Sequence, residues 1–359
     1  MKINPEVKGV TKKDLYQEHL YEDDKGKPLA FIPASKRKWL LQNGRIAEDD
    51  YVAVITTIGK ELVSFIYLIP DLFRTREGLQ KMYWMRQWWV ADAHQNSIIA
   101  TYTYATALQL TQQRILIKFY AEGAEKFYAK QPFTAWYERQ RHTLFIGPEA
   151  SIILGRFPRM CYVKSLVNGS SRLISTVLKR SNWKKAEKRT QNIRVESLSH
   201  IDEEAWNFIE PLVADDSIVK DRAYLNWQLS PSQYETTTPE YKSLVVAYGN
   251  PIQAHTFVIR HEDQIIGFVS YLLIHKECNL KYLLCQPEHL DLIIDALLRE
   301  VCRSRALFIF TDDQTVASRI TERYRIFYHY QVTKKALAHN SIYVLVREFQ
   351  VSEGDGHFY

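Results

Sequence analysis

The sequence is poor in the residues that define several specialised protein classes. It has only four cysteines, Cys161, Cys278, Cys285 and Cys302, and no two of them have CxxC spacing. We therefore expect neither a disulfide framework nor a structural zinc site, and a reducing cytoplasm suits this cysteine usage. The 13 glycines and 12 prolines are too few for a collagen-like or low-complexity chain.

Long apolar runs are missing as well. No run approaches the roughly 18 residues that a membrane-spanning helix needs, and one of the longest, Leu62–Pro70, is typical of a buried strand. The first 17 residues, MKINPEVKGVTKKDLYQ, carry charges without an apolar core, so no signal peptide is expected. These absences predict a cytoplasmic protein without a transmembrane segment.

The composition is that of a globular protein with a mild basic excess. At roughly 150 residues per domain, 359 residues correspond to about two domains. Hydrophobic residues make up 46% and charged residues 25%, which excludes a mostly disordered chain. The 47 basic and 41 acidic side chains give a net charge of +6, which permits a phosphate-bearing ligand, a nucleic acid or an anionic membrane surface but requires none.

Strand and helix patterns occur in the same order in the two halves of the chain. After residues 1–47, which predict helices and loops, the first half shows a hairpin, a strand, a helix, a strand, a short helix and a strand. In order, these elements are Asp50–Lys60 with Leu62–Phe73, then Lys81–Val90, Ser97–Gln113, Arg114–Ala121, Gly123–Gln131 and Arg141–Ile146.

The second half repeats this order. It begins with a hairpin at His255–Lys276, which turns at Glu262 and Asp263, and continues with a strand at Asn279–Gln286. The helix that follows has the regular apolar spacing of an amphipathic helix, at Leu290, Ile293, Ile294, Leu297, Leu298 and Val301. We therefore predict an α/β (α+β) protein of two tandem units, each a mixed, mostly antiparallel sheet flanked by helices.

A charge run marks the boundary between the two units. Lys179–Arg194, KRSNWKKAEKRTQNIR, holds seven basic residues and one acid, which is typical of a solvated helix and connector. The predicted organisation is a first domain at 1–160, a basic connector at 161–195 and a second domain at 196–359.

Two stretches of the first half carry motif-like residues. Residues 90–100 read VADAHQNSIIA, and residues 127–133 read FYAKQPF. Together with the order of elements, they resemble the GCN5-related N-acyltransferase (GNAT) superfamily, whose members commonly carry V-x-P-x-Y-R/Q-G-x-G-x-G/A between the central strand and the next helix, and fYxKxGF after a later helix. Tandem units of this kind occur in acyltransferases of bacterial cell-surface glycan pathways and in the FemABX peptidyltransferases.

The resemblance implies a site for acetyl-CoA or another acyl-CoA in the first half. Backbone amides at the start of the helix would bind the diphosphate, because unpaired N–H groups and the helix dipole favour an anion there. The implied cofactor-binding residues are Val90, Gln95, Asn96, Ser97, Ile99 and Ala100. Tyr128 matches the tyrosine that protonates the departing CoA thiolate. The implied activity is transfer of an acyl group, other than an aminoacyl group, to an amine of a small molecule or a cell-surface glycan precursor.

The sequence departs from the motif at positions that matter. Asn96 and Ile98 stand where glycines allow a close approach of the phosphate, and Ile98 is expected to crowd that approach. In the second half, Glu288 and Asp291 put negative charge at the corresponding helix start, where it repels a diphosphate. We therefore expect at most one CoA site, in the first half.

Three alternatives remain open at this point. The first is a FemABX-like peptidyltransferase that uses aminoacyl-tRNA and binds the RNA through the basic run Lys179–Arg194. The second is a non-catalytic binding protein that has kept the fold and lost the site. The third is a membrane-surface protein that uses the same basic run.

Overall fold

The structure is a computed structural model. It describes residues 4–95, 97–234, 242–243, 252–346 and 351–356. The strands are β1 (Glu6–Thr11), β2 (Tyr21–Glu22), β3 (Pro28–Ala30), β4 (Tyr51–Ile58), β5 (Glu61–Thr75), β6 (Gly78–Val90), β7 (Ile115–Ile117), β8 (Phe133–Phe145), β9 (Ile193–Ser197), β10 (Lys242–Ser243), β11 (Ile252–His261), β12 (Gln264–Ile274), β13 (Glu277–Cys285), β14 (Phe308–Thr311) and β15 (Tyr328–His339). The α-helices are α1 (Ala34–Leu41), α2 (Ile98–Leu110), α3 (Glu125–Tyr128), α4 (Ala150–Arg156), α5 (Lys164–Arg189), α6 (Glu203–Val213), α7 (Arg222–Leu229), α8 (Leu290–Arg303), α9 (Gln314–Arg323) and α10 (Asn340–Val346).

All described strands belong to one mixed sheet, in which antiparallel pairs predominate. In the first half β4, β5 and β6 form an antiparallel meander, and β6 then pairs in parallel with β7. In the second half β11, β12 and β13 form the same meander, and β13 pairs in parallel with β14. The predicted fold class, a mostly antiparallel mixed sheet flanked by helices, is confirmed.

The two halves exchange their last strands. β8 follows α3 in the first half but pairs with β14 of the second half, whereas β15 follows α9 in the second half but pairs with β7 of the first. β8 and β15 also pair with each other over their whole length, from Phe133 with His339 to Phe145 with Tyr328. The predicted boundaries at 160 and 196 thus divide a sheet that runs through both halves.

Two stacked tryptophans join a helix of the first half to a helix of the second half. Trp39 of α1 stacks on Trp227 of α7 with ring centroids 4.2 Å apart. Each indole N–H donates to the backbone carbonyl of the other residue, at 2.7 and 2.8 Å. Because both side chains are buried, this contact contributes packing and satisfies two polar groups at once.

Several local predictions are confirmed and others need correction. The turn at Glu262 and Asp263 is present, and both residues have positive φ, as a tight hairpin turn requires. The amphipathic helix is α8, with its apolar face buried. Residues 1–47 were predicted without strands, but β1 forms the edge of the sheet by pairing with β4. β1 is short and polar, and its side chains alternate between more and less exposed positions. Its conformation therefore depends on the strand with which it pairs.

The basic run lies mostly on one long helix. Lys179–Arg189 is the second half of α5, and β9 begins at Ile193. None of the described helices is both long enough and apolar enough to cross a membrane.

Candidate functional site

β6 and β7 separate soon after they meet. Their parallel pairing consists of Tyr83 with Ile115 and Trp84 with Leu116, and β7 ends at Ile117 while β6 continues to Val90. The gap between β6 beyond Trp84 and the chain beyond Leu116 is called the first cleft. A splayed pair of parallel strands leaves backbone groups and space between them that a ligand can fill.

A β-bulge lies on the wall of the first cleft. Tyr67 of β5 pairs with Gln87, and the next residue, Leu68, pairs with Met85, so Arg86 is the extra residue on β6. A bulge leaves its extra residue outside the ladder of hydrogen bonds and re-aims the neighbouring side chains. The Arg86 guanidinium carbon lies 5.2 Å from the centroid of the Phe119 ring, on the opposite wall.

The first cleft contains a cavity of about 330 Å³. Its lining comes from both separated strands and from α3, namely Met85, Arg86, Gln87, Trp88, Ile117, Phe119, Tyr120, Ala121, Ala124 and Tyr128. Trp88 stacks on Tyr104 of α2 at 5.5 Å and meets Phe127 edge-on at 5.0 Å. One wall of the cavity is therefore made of aromatic rings that pack against one another.

Tyr128 is the last residue of α3 and lines this cavity. Its ring contacts Tyr120 and Phe133 edge-on, at 5.6 and 5.8 Å, and only a small part of the side chain is exposed. Burial raises the pKa of the Tyr128 hydroxyl well above its usual value. The phenol is protonated near neutral pH, as an ordinary tyrosine also is, and its raised pKa makes it a weaker acid.

The other predicted site residues form the turn between β6 and α2. Val90 is half-buried at the end of β6, opposite Ser64. Gln95 is exposed after a short 3₁₀ turn, and its side-chain amide Nε2 donates to Asp92 Oδ1 at 2.8 Å. Asn96 lies outside the described residues. Ile99 and Ala100 belong to the first turn of α2, and Ile99 is buried.

Ser97 is the N-cap of α2. Its hydroxyl donates to the His94 carbonyl at 2.7 Å and accepts from the Ile99 amide at 3.3 Å. The Ser97 amide itself donates to His94 O at 3.0 Å. Two of the amides at this helix start, those of Ser97 and Ile99, are thus already hydrogen-bonded within the turn.

Ile98 does not fill the cleft. Its side chain is 64% exposed and points away from the apolar core, whereas the adjacent Ile99 is buried. The N-cap geometry explains this direction, because Ser97 fixes where α2 begins. An exposed side chain at the helix start faces the solvent from which an anion approaches, so the expected crowding by Ile98 stays a prediction.

The second half has an equivalent gap. β13 and β14 pair in parallel from Glu277 with Phe308 to Asn279 with Phe310, and the gap beyond these pairs is called the second cleft. A bulge again lies on the longer strand, since Ser270 pairs with Tyr282 and Tyr271 with Leu280, which makes Lys281 the extra residue. Arg86 and Lys281 are thus equivalent positions of the two halves. Burial and the nearby Arg86 lower the pKa of the Lys281 ammonium group to about 7.

A chain segment occupies the second cleft. Val351–Gly356, called the closing segment, crosses from β14 to β13. The Glu353 carboxylate accepts from the Thr311 hydroxyl at 2.9 Å and from the Asp312 amide at 2.8 Å. Asp355 accepts from Lys220 Nζ at 3.0 Å and from the Tyr282 hydroxyl at 3.3 Å.

The closing segment is also held from the first half. Lys118, directly after β7, is buried, and its ammonium group donates to the backbone carbonyls of Ser352, Glu353 and Asp355, at 3.3, 2.7 and 2.5 Å. Sequence reasoning missed Lys118, Lys220 and the closing segment, because all three gain their partners from chain segments more than 100 residues away. A lysine beside an apolar strand, as in ILIK, was the one local sign.

No family model and no curated protein matches this chain. Solved structures do match. A GCN5-related N-acetyltransferase from Kribbella flavida is similar over 95% of this chain and 73% of that one, with a TM-score of 0.49 and 10% identity. Another from Anabaena variabilis is similar over 80% of this chain, with a TM-score of 0.45 and 8% identity, and this chain spans 62% of its length. Both belong to the superfamily that the sequence resembles.

Proposed function

We propose that this protein transfers an acyl group from an acyl-CoA to an amine, with the first cleft as its site. The observation that carries the proposal is the open cavity between β6 and β7, which is lined by a protonated phenol and begins on the strand that leads into the start of α2. The second cleft is crossed by the closing segment, beside which a cavity of about 290 Å³ remains, and it is given no acyl-CoA in this proposal.

The roles follow from the residue chemistry. The diphosphate lies at the turn formed by Val90, Gln95, Asn96, Ser97, Ile99 and Ala100, where the dipole of α2 and backbone amides of its first turn favour an anion. The pantetheine arm lies against Trp88 and brings the thioester into the cavity beside Tyr128. The acceptor is the amine of a small molecule or a glycan precursor, and the donor is acetyl-CoA or a longer acyl-CoA.

The reaction is a direct displacement. A neutral amine attacks the thioester carbonyl carbon, the new C–N bond forms and the C–S bond breaks. The amine gives its proton to water or to a carboxylate of the acceptor complex. The departing thiolate takes the hydroxyl proton of Tyr128, which solvent then restores.

Ligand binding is tested by thermal unfolding with CoA, acetyl-CoA and longer acyl-CoAs. A ligand at a hundredfold its Kd stabilises the folded state by about 2.7 kcal/mol, which is readily measured. Ile98→Asp, at an exposed position, places a carboxylate beside the proposed diphosphate site and should weaken binding at least about tenfold without unfolding α2, because an acid at a helix start is favourable. Tyr102→Asp, on the same helix and 53% exposed, is the matched control.

Catalysis is tested by release of free CoA thiol in the presence of a panel of primary amines. Tyr128→Phe should lower kcat by about 10²- to 10⁴-fold and leave the Kd for acyl-CoA unchanged. Tyr104→Phe is the control, because the Tyr104 hydroxyl is buried nearby and has no role in the proposal. An unaltered rate in Tyr128→Phe would show the acid assignment to be wrong. If no acyl-CoA stabilises the protein, the proposal is wrong and the non-catalytic alternative is favoured.

A further inference from the structure

Exposed apolar side chains are concentrated in one part of the molecule. Among the described residues, 18 large apolar side chains are exposed, and nine of them lie between residues 152 and 177. These nine, called the outer patch, are Ile152, Phe157, Met160, Tyr162, Val163, Leu166, Leu173, Ile174 and Val177. Tyr162, between α4 and α5, is 96% exposed. Scattered exposed leucines are normal, but a contiguous group of this size indicates a contact surface.

The long helix α5 presents three residues of the outer patch on one face. Leu166, Leu173 and Val177 are 7 and 11 residues apart, which places them on the same side of a helix. The buried residues of α5, Val167, Ser171, Ser175, Asn182 and Ala186, lie on the opposite side. The buried side of the helix is made mostly of small and polar side chains, with Trp183 packed against the core, whereas Leu166 and Leu173 stay outside.

The same surface is strongly basic. Residues 150–186 contain eight basic side chains and no Asp or Glu. Arg180 and Lys184 follow Leu173 and Val177 at a spacing of seven residues, so they continue the outer face toward the end of α5. An apolar stripe that runs into a basic stripe is typical of a helix that lies on an anionic membrane surface.

A basic cavity flanks this face. It has a volume of about 500 Å³, lies between α5 and the second half, and is lined in part by Arg172, Lys179 and Lys276. Lys276 is paired with Glu149, whose carboxylate lies 2.6 Å from its ammonium group. Arg172 and Lys179 leave positive charge beside the outer patch. This arrangement suits a phospholipid whose phosphate lies in the cavity and whose acyl chains lie along the patch.

We propose that the outer patch docks on a bilayer that contains anionic phospholipids, with α5 parallel to the membrane plane. A second copy of this chain is the less suitable occupant, because a symmetric contact would bring two acid-free basic surfaces together. An anionic bilayer satisfies both the charge and the exposed leucines. This inference goes beyond acyl transfer, which does not need a membrane.

The direct test is co-sedimentation with vesicles. The full-length protein should bind vesicles of phosphatidylcholine with about 30% phosphatidylglycerol, bind much less to phosphatidylcholine alone, and lose affinity as salt screens the charges. Leu173→Glu, at a 65% exposed position, should lower the affinity at least about tenfold. Leu79→Glu is the matched control, because Leu79 is 56% exposed on a hairpin outside the outer patch, and it should bind like the wild type.

Charge and depth are tested separately. Lys184→Glu should weaken binding roughly thirtyfold, since each basic side chain near an anionic surface contributes about fivefold and the change removes one and adds an acid. A polarity-sensitive dye on Cys161, the exposed cysteine of this region, should shift to the blue on vesicles. Unchanged circular dichroism of each variant shows that folding is intact.

Three results would overturn the proposal. The first is absence of binding to anionic vesicles at low salt. The second is equal loss of binding in Leu173→Glu and Leu79→Glu. The third is a wild type that elutes as a dimer without binding vesicles and becomes a monomer on Leu173→Glu, which would make the outer patch a subunit interface.

Discussion

The two clefts have one architecture and different contents. In each half a meander of three strands ends in a parallel pair that separates, and a bulge puts a basic residue, Arg86 or Lys281, on the longer strand. The first cleft keeps a cavity of about 330 Å³ under Trp88 and Tyr128. The second is crossed by the closing segment, which places half-buried Glu353 and buried Asp355 between the separated strands and leaves a cavity of about 290 Å³ beside them.

The difference teaches what each half contributes. In the first half, aromatic side chains brace the gap from one side and leave its centre open. In the second, the closing segment lies in the gap and is bound by charged side chains, including Lys118 of the first half. The first half thus keeps an open cavity, whereas in the second half a segment of the chain itself lies in the cleft and joins the halves.

The largest expected effect comes from removing the cation under the closing segment. Lys220 is buried between Asp216 and Asp355, with N–O distances of 2.5 and 2.9 Å. Lys220→Met leaves two buried carboxylates without their partner, so the free energy of unfolding should fall by about 3–5 kcal/mol. Denaturant titration measures it. Lys60→Met, which removes an exposed pair, should change it by less than about 1 kcal/mol. Equal values for the two variants would contradict the role of Lys220.

A smaller effect is expected from crowding the closing segment. A Cβ at Gly354 would lie 2.5 Å from the Tyr282 ring, which is buried and hydrogen-bonded to Gln228. Gly354→Ala should therefore destabilise the fold by about 1–3 kcal/mol, measured by thermal unfolding. Gly169→Ala, in open space on α5, should have the opposite sign and stabilise by up to about 1 kcal/mol. A neutral Gly354→Ala would mean that the segment does not pack against Tyr282.

The last prediction concerns pH dependence and not stability at one pH. Burial, followed by the neighbouring Asp312, raises the pKa of the Glu353 carboxyl to about 8. Between pH 4.5 and 8 the folded state then holds a proton that the unfolded state has lost, so stability falls as pH rises through this window. Glu353→Gln keeps an acceptor for Thr311 and removes the titration, so the variant should gain stability over the wild type toward pH 8 and match it near pH 5. Exposed Glu6→Gln should keep the wild-type profile. Parallel profiles for Glu353→Gln and the wild type would contradict the shift.

The sequence predicted the elements whose cause is local. The apolar spacing from Leu290 to Val301 defines α8, and the positive-φ turn at Glu262 and Asp263 defines a hairpin. The start of α2 was predicted at Ser97, which is its N-cap, whereas the binding role of this turn comes from a motif resemblance and stays a prediction. Tyr128 was found through a motif resemblance, and its role stays a prediction.

The long-range features were beyond a sequence reading. Nothing in the alternation of β8 says that its neighbour is β14 of the other half, since an alternating strand fits many partners. Val351–Gly356, VSEGDG, reads as a polar loop, yet it is bound through carbonyls by Lys118. The bulges at Arg86 and Lys281 depend on the register of two strands, which no single strand reveals.

The strand exchange has a consequence for how the chain is made. One edge of β7, residues 115–117, has no partner strand until residues 337–338, more than 200 positions downstream, have been synthesised. A ribosome adds about 5–20 residues per second, so the early half spends at least about ten seconds with an unpaired edge. Chaperone binding to nascent chains and slow refolding after dilution from denaturant should both reflect that delay.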